Sequence, residues 1–476
     1  MLLIRSKLTM LKSEAFYKHE MRTKLFVISD AEFVATLAGE CCPGLEVVPV
    51  APGQPTGGPF HTIEGAAAAM LSHIRGLQPA GPYFLAGEGA GSLLAYEVAR
   101  QLIGRDLPLG FVGLLGEWVP VNTPDDVPAA AESVPVYLFS GDPICAPPPA
   151  QKLLSWKTLL PPSHIREIML TDTLHSPASW ICISETIQHR LRESSAAGRA
   201  IPEVRYQPLI PIQGGRSGKP ALYCFPGAGD SITGFMGLCN ALGDAWTVYG
   251  LQPRGTDGVL IPHFDVEAAA QYYLRAIDAR PPAPIHLLGH SFGGYVALEV
   301  AIRCRAAHRP VASLTLVDSE APDFPRAGPR EYEAMDIWTR FIHSLELAAE
   351  RDLGVDRAVL KASDGRRRLE MVHAGAVRAG LLPARSSPQT LAGSLRTFGA
   401  ALRSAYTPSS VYPGPVRLAF ATRVREGRDA SRFSAYAWQK YLPNSTSWQG
   451  PGNHMTILKA PHVQDLADWW RQGTEA

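Results

Sequence analysis

Nothing in this chain favours a charged partner in bulk. Its 476 residues carry 45 basic and 44 acidic side chains, a formal net charge of +1, so no electrostatic argument points to nucleic acid or to a membrane surface. Long apolar runs are missing as well. No stretch approaches the length of a membrane span. The N-terminal segment is interrupted by Arg5, Lys7, Lys12, Glu14, Lys18 and Glu20, unlike a signal peptide. Cysteine is sparse: seven residues, an odd number, with no Cys-x-x-Cys spacing. The adjacent Cys41-Cys42 pair is too little for a metal or redox motif, and several of the others fall within apolar segments as small core residues. That is cytosolic usage. These absences predict a soluble cytoplasmic protein without a metal or redox cofactor, long enough for two to four domains.

What is present is concentrated in Pro284–Glu299, PIHLLGHSFGGYVALE. A short apolar strand runs into Gly289-His290-Ser291-Phe292-Gly293 and then into a helix. This strand, Gly-x-Ser-x-Gly and helix order is the context of a nucleophile elbow, in which a sharp turn projects the Ser hydroxyl from the end of a sheet. Side chains at Gly289 and Gly293 would collide as the chain doubles back. A chance pentapeptide in an ordinary turn would lack both flanks.

A Ser nucleophile needs a base, and the base needs an acid to hold it. The run Ala312–Val317 has β character and ends in Asp318, twenty-seven residues beyond Ser291. Glu320 and Asp323 are close rivals. Later, Pro415–Ala421 reads as a buried strand, and Thr446–His454 as a short strand entering a Gly-rich loop. His454 is the candidate base. Its competitors are His286, inside a strand, His290, beside the Ser, and His462, after Pro461; only His454 follows the last strand on a Gly-flanked loop.

An oxyanion hole takes one N–H from the residue after the nucleophile, here Phe292, and one from a loop after an early strand. Ala221–Phe225 followed by Pro226-Gly227-Ala228-Gly229 supplies such a strand and loop, with Ala228 as the second donor. A nucleotide loop is the alternative reading, and the lack of a Gly-Lys-Ser/Thr ending argues against it. The fold class these features predict is α/β, of the α/β-hydrolase type, with a mostly parallel sheet flanked by helices.

From Pro208 onward the chain resembles the thioesterase domains that end non-ribosomal peptide and polyketide synthases. The resemblance rests on six ordered blocks: PLIPIQ from Pro208, FPGAG from Phe225, YGLQPRG from Tyr249, GHSFGG from Gly289, VDS from Val317 and GNHMTIL from Gly452. It implies a serine thioesterase with Ser291, His454 and Asp318 as its triad. The substrate would be an acyl or peptidyl thioester on the phosphopantetheine arm of a carrier protein domain. Release would follow by water or, through an internal hydroxyl or amine, as a macrocycle. No cofactor of the chain's own is implied. A stand-alone editing thioesterase that clears misacylated carriers is the alternative. The interval from Asp318 to Pro415 fits the family's helical lid, at about 325–410, and Tyr332–Ala349 and Gln389–Ala405 have helical apolar spacing.

The first half repeats this plan without its chemistry. GPYFLAGEGAGSLLAYEVAR, from Gly81, matches the elbow and its helix, and Lys24–Ile28 matches the upstream strand. Gly89 stands at the nucleophile position. The acid position falls on Gly116, with Glu117 beside it, and the oxyanion loop position reads Ser29-Asp30-Ala31-Glu32. Gly116–Pro135 is too short for a lid before the next strand, Val136–Phe139. Ser92 falls in the first helical turn, and the alignment around His175 is ambiguous. The expectation is a degenerate domain over 1–192, a linker over 193–220 rich in Ser, Gly and Pro, and a catalytic domain over 221–476. The first domain is then a docking or scaffold module or a decayed remnant. Both copies usually keep the Ser in tandem thioesterases, and this chain departs from that pattern. No carrier-type Asp-Ser-Leu site precedes the first domain, so the chain reads as a stand-alone thioesterase or as a fragment of a synthase. Arg254, Arg303 and Arg305 are candidate carrier contacts.

Overall fold

A computed structural model describes residues 23–29, 45–51, 62–121, 134–140, 152–170, 172–173, 176–197, 206–214, 220–280, 284–322, 332–422 and 430–473. The chain divides into two compact units. One comprises Met1–Leu102, Leu107–Ala130 and Val134–Glu203; the other Ile103–Asp106, Ala131–Ser133 and Val204–Ala476.

The first unit contains β1 (Thr23–Ile28), β2 (Leu45–Val50), α1 (Ile63–Leu77), β3 (Tyr83–Glu88), α2 (Ala90–Gly104), β4 (Leu109–Leu115), β5 (Trp118–Val121), β6 (Val136–Ser140), β7 (Lys152–Ser155), α3 (Trp156–Leu159), β8 (Ile165–Met169) and α4 (Pro177–Ala197). Six strands form a parallel sheet in the order β2-β1-β3-β4-β6-β8, while β5 and β7 pair separately. A parallel sheet is covered on both faces, so its strands read as continuous apolar runs. Leu25, Phe26, Val27 and Ile28 are all buried accordingly. On α4, Trp180, Ile183 and Ile187 fall on one helical face and pack against Phe84, Phe111 and Phe139.

The second unit contains β9 (Leu209–Gln213), β10 (Ala221–Phe225), α5 (Met236–Leu242), β11 (Thr247–Leu251), α6 (Val266–Asp278), β12 (Ile285–His290), α7 (Phe292–Ala306) and β13 (Val311–Val317). It continues with α8 (Ala334–Ala349), α9 (Arg357–Ala362), α10 (Gly365–Arg378), α11 (Ala392–Arg403), β14 (Val416–Ala421), α12 (Ala430–Trp438), β15 (Ser445–Gly450) and α13 (Val463–Gln472). The sheet order is β15-β14-β13-β12-β10-β11-β9, parallel except for the antiparallel edge strand β9. One face is covered by α6 and α7, through Tyr273, Ile277, Val296 and Val300 among others. The other is covered by α5 and α13, whose buried Val463, Leu466, Ala467 and Trp470 recur at helical spacing.

Leaving aside β9, the two sheets share one connection pattern, and both units have the α/β-hydrolase fold. They differ between the fourth and fifth strands. In the second unit α8–α11 stand there, around their own cluster of Trp338, Phe341, Ile342, Leu360, Val372 and Phe398. The sequence spacing locates α8 and α11 but not α9 and α10. The buried face of α10 includes Arg368 and His373 beside Val372 and Ala376, so its apolar period is broken. Arg368 is accommodated because its guanidinium donates to the Leu360 and Lys361 carbonyls, at 3.1 and 3.3 Å.

Candidate active site

Ser291 joins β12 to α7 with φ 54° and ψ −123°, a region L-residues rarely occupy. A Cβ on Gly289 would lie 2.3 Å from the Gly293 carbonyl oxygen, and one on Gly293 would lie 2.1 Å from that of Phe225. Both glycines are therefore fixed by close backbone approach. The Ser291 backbone is held from two sides. Its N–H donates to the Val317 carbonyl at 2.8 Å, and its carbonyl accepts from the Gly294 N–H at 2.9 Å and the Ser319 hydroxyl at 2.8 Å.

The Ser291 hydroxyl lies 3.0 Å from His454 Nε2, and His454 Nδ1 lies 2.6 Å from Asp318 Oδ2. Asp318, at φ 48°, follows the end of β13. Its N–H donates to the Ala419 carbonyl at 2.7 Å, and its Oδ1 accepts the Ala421 N–H at 3.0 Å. Burial pushes the Asp318 carboxyl up, but the bond to and charge of His454, with the Ala421 N–H, outweigh it and hold the group below the usual carboxylate range. His454 stands on the segment after β15, entered through Gly452 at φ 97°.

The other histidines have different surroundings. His286 shares a hydrogen bond with the Ser313 hydroxyl at 2.9 Å and meets Trp246 edge-on at 4.8 Å; burial lowers its pKa to about 4. His290 is buried with Nε2 2.8 Å from the His454 carbonyl oxygen. Burial, and then the charge of His454, lower its pKa to about 4. A neutral His290 can donate one N–H to that carbonyl, which supports the turn carrying His454. His462 packs its ring against Gly452. Glu320 is exposed, and Asp323 lies outside the described residues.

Ala228 and Phe292 line a single small apolar cavity of about 50 Å³, with Leu251, Tyr273, Val296 and Thr397 around it. Gly229, at φ 71°, meets α11, where a Cβ would lie 2.9 Å from Cβ of Phe398. Arg254 also lines the cavity and donates to the Ile261 carbonyl at 2.7 Å, and Arg303 is engaged by Glu299 and Gln271. Neither is a free surface cation. Among the described residues no group of three or more His, Cys, Asp or Glu could hold a metal ion, and no helix is long and apolar enough to cross a membrane.

In the first unit, the elbow residue Gly89 has φ 54° and Gly116 has φ 98°. Glu117 accepts from the Ser155 hydroxyl at 3.0 Å and lies 3.7 Å from the Lys157 ammonium. The Ser92 hydroxyl is buried and donates to the Gly89 carbonyl at 2.6 Å. His175 and the oxyanion-loop positions Asp30, Ala31 and Glu32 lie outside the described residues. Sequence reasoning missed Ser319 and Asn453 as parts of the second unit's site. Each adjoins a candidate triad residue within a block already singled out, and adjacency was the one available signal.

The family model for the thioesterase domain matches residues 35–138 and 220–468. The chain belongs to the thioesterase domain family, a family of hydrolases. It is 25% identical over 314 residues to vanchrobactin synthetase of Vibrio anguillarum, covering 64% of this chain and 9% of that protein. It is 27% identical over 132 residues to enterobactin synthase component F of Escherichia coli (strain K12), covering 28% of this chain and 10% of that protein. Among solved structures, a four-domain nonribosomal peptide synthetase bound to AMP and glycine has a TM-score of 0.48 and 20% identity, covering 61% of this chain and 21% of that one. The chain thus spans a tenth or less of these two curated relatives.

Proposed function

We propose that this chain is a serine thioesterase of peptide or polyketide biosynthesis, with Ser291 as nucleophile, His454 as base and Asp318 as its orienting acid. The hydrogen-bonded series from Ser291 through His454 to Asp318, with Ser291 on a strained elbow, is the observation that carries this reading. Ser291 Oγ attacks the thioester carbonyl carbon as its proton passes to His454 Nε2. The carbonyl oxygen becomes an oxyanion facing the N–H groups of Phe292 and Ala228. The carbon–sulfur bond then breaks, and His454 returns the proton to the departing thiol. Water, or an internal hydroxyl or amine of the acyl chain, gives its proton to His454 and attacks the Ser291 ester. The acid or macrocycle leaves, and Ser291 regains its proton.

The thiol donor in this reading is the phosphopantetheine arm of an acyl or peptidyl carrier protein domain. The names of the relatives, which are synthetases, support that choice. The first unit, expected over 1–192, is a docking or scaffold module that takes no acyl group, joined to the catalytic domain through the chain between Ala197, which ends α4, and Leu209, which opens β9. Glycine at both the nucleophile and acid positions supports this.

Intact-protein mass spectrometry after mixing with an acyl-pantetheine thioester tests the proposal. The expected result is a transient acyl adduct that maps to Ser291 and is absent from Ser291→Ala. An adduct that persists in the variant sinks the assignment. Breakdown of many short acyl-carriers with no cyclised product favours editing over release.

A further inference from the structure

Asn453 precedes His454 and is buried. Its Oδ1 accepts the Met455 and Thr456 N–H groups at 2.8 and 3.0 Å, while the Thr456 hydroxyl accepts the Asn453 N–H at 2.9 Å. These bonds fold the residues flanking His454 into a closed turn. With Oδ1 committed to two donors, the amide orientation is fixed by the network, and Nδ2 must face an acceptor. That acceptor is the Leu347 carbonyl of lid helix α8, at 3.1 Å.

The last carbonyls of a helix have no partner within it and carry partial negative charge. At the end of α8 the Leu347 carbonyl accepts the Glu350 N–H at 3.3 Å, and its second lone pair is met from the His454 segment. Lys459 Nζ lies 3.4 Å from the Ala348 carbonyl oxygen, and the chain leaves the helix through Glu350 at φ 53°. Two donors from the His454 segment thus serve the C-terminus of α8. One of them belongs to the side chain that also shapes the histidine turn.

We infer that Asn453 is a positioning residue that latches the lid to the base, so that docking of α8 and the setting of His454 are one event. With α8 docked, the space over Ser291 is screened from bulk water while the base is held on the Ser hydroxyl. With α8 undocked, Nδ2 loses its acceptor and the histidine turn is held from one side alone. The functional consequence rests on the acyl-Ser291 reading. The latch itself does not.

Asparagine and aspartate differ at the atom that matters. Asn453→Asp keeps an oxygen for the Met455 and Thr456 N–H groups but turns a carboxylate oxygen toward the Leu347 carbonyl. Asn453→Ala removes both functions. Hydrogen exchange on the full chain without substrate is the first measurement. In Asn453→Asp the amides of the last turn of α8 are expected to exchange about tenfold faster, while those of β12 and β13 keep wild-type rates. Unchanged exchange in α8 overturns the latch. In the second measurement, acylation by a short acyl-pantetheine thioester should fall in both variants, about threefold in Asn453→Asp, where α8 is undocked but the turn keeps its Oδ1 bonds, and about tenfold or more in Asn453→Ala. Breakdown of the acyl-enzyme to free acid should be faster in Asn453→Asp than in wild type. Equal loss of acylation in both variants overturns the proposal, because Asn453 would then act through its turn alone. Failure to acylate wild-type Ser291, with α8 exchange changed as expected, counts against the thioesterase reading and leaves the latch standing.

Discussion

The two elbows of this chain share a backbone and differ in what stands on it. Ser291 and Gly89 both have φ 54°. A Cβ on Gly87 would lie 2.3 Å from the Gly91 carbonyl oxygen, as one on Gly289 would from that of Gly293. At the acid position, Asp318 has φ 48° and Gly116 has φ 98°. The strand-to-helix reversal is therefore a requirement of the fold, and chemistry is an addition to it. At Ser291, the proposed nucleophile, positive φ is imposed on a residue that resists it, and hydrogen bonds to the Val317 carbonyl and from the Ser319 hydroxyl hold it there. At 89, glycine takes the same φ without strain.

The largest expected effect breaks this comparison at the nucleophile. Ser291→Ala should lower acyl transfer by on the order of 10⁴-fold or more, read as single-turnover acid release. Gly89→Ser puts a hydroxyl on the other elbow and should restore nothing in the Ser291→Ala background, measured the same way. Recovered activity would mean that the first unit still holds a base and donors. At the acid position, Asp318→Asn should reduce kcat by roughly 10³- to 10⁴-fold, because the wrong tautomer of His454 then faces Ser291. Glu117→Gln should leave kcat unchanged, since Glu117 is engaged by Ser155 and Lys157.

How much of this was legible before the structure follows from where the constraints lie. Gly-x-Ser-x-Gly encodes steric demands that glycine alone meets, Asp318 directly follows a strand whose apolar character is visible, and His454 lies on the Gly-flanked segment after β15. The fold of the second unit followed from these signals, that of the first from the internal repeat, and α8 and α11 from helical apolar spacing, while the lid interval came from the family resemblance. The helix α10 did not, because a buried arginine satisfied by carbonyls looks like a solvated one in sequence. Ser319 and Asn453 were marked by nothing except adjacency to Asp318 and His454. Their roles depend on a carbonyl 28 residues away in Ser291 and one 106 residues away in Leu347, and no local pattern marks a side chain aimed at a distant backbone atom.

Acid should weaken the second unit. Burial, with nearby charge at two of them, holds His263, His286 and His290 to about 4, against 6.5 in the open chain. Between those values the unfolded chain binds protons that the folded one refuses, so stability falls as pH drops from about 6.5 toward 4. Asp318, held below its usual range, adds a loss in the same direction at the lower end. For His286 the shift corresponds to roughly 3 kcal/mol over the whole interval. Urea midpoints of the second unit at pH 7 and pH 5 measure this. His286→Gln, which can still hydrogen-bond Ser313, should flatten the slope; an unchanged slope would mean that His286 titrates normally in the folded protein.

The smallest effect isolates the backbone from the chemistry. Ser291→Gly and Ser291→Ala remove the same hydroxyl, but alanine keeps a Cβ at φ 54° and glycine relaxes it. Strain of this kind is worth about 1–3 kcal/mol, and the extra freedom of glycine in the unfolded chain returns about 0.5–1 kcal/mol of that. Ser291→Gly should therefore be the more stable of the two by about 1 kcal/mol, read from urea midpoints. The mirror experiment is Gly89→Ala in the first unit. No atom lies within 4 Å of the added Cβ there, so any loss is torsional rather than steric. A destabilisation of about 1 kcal/mol is expected, so that alanine is less stable than glycine at both elbows and by a similar amount. Equal stabilities of alanine and glycine at both positions would mean that the elbow carries no strain, and that glycine at 89 reflects the loss of a function alone.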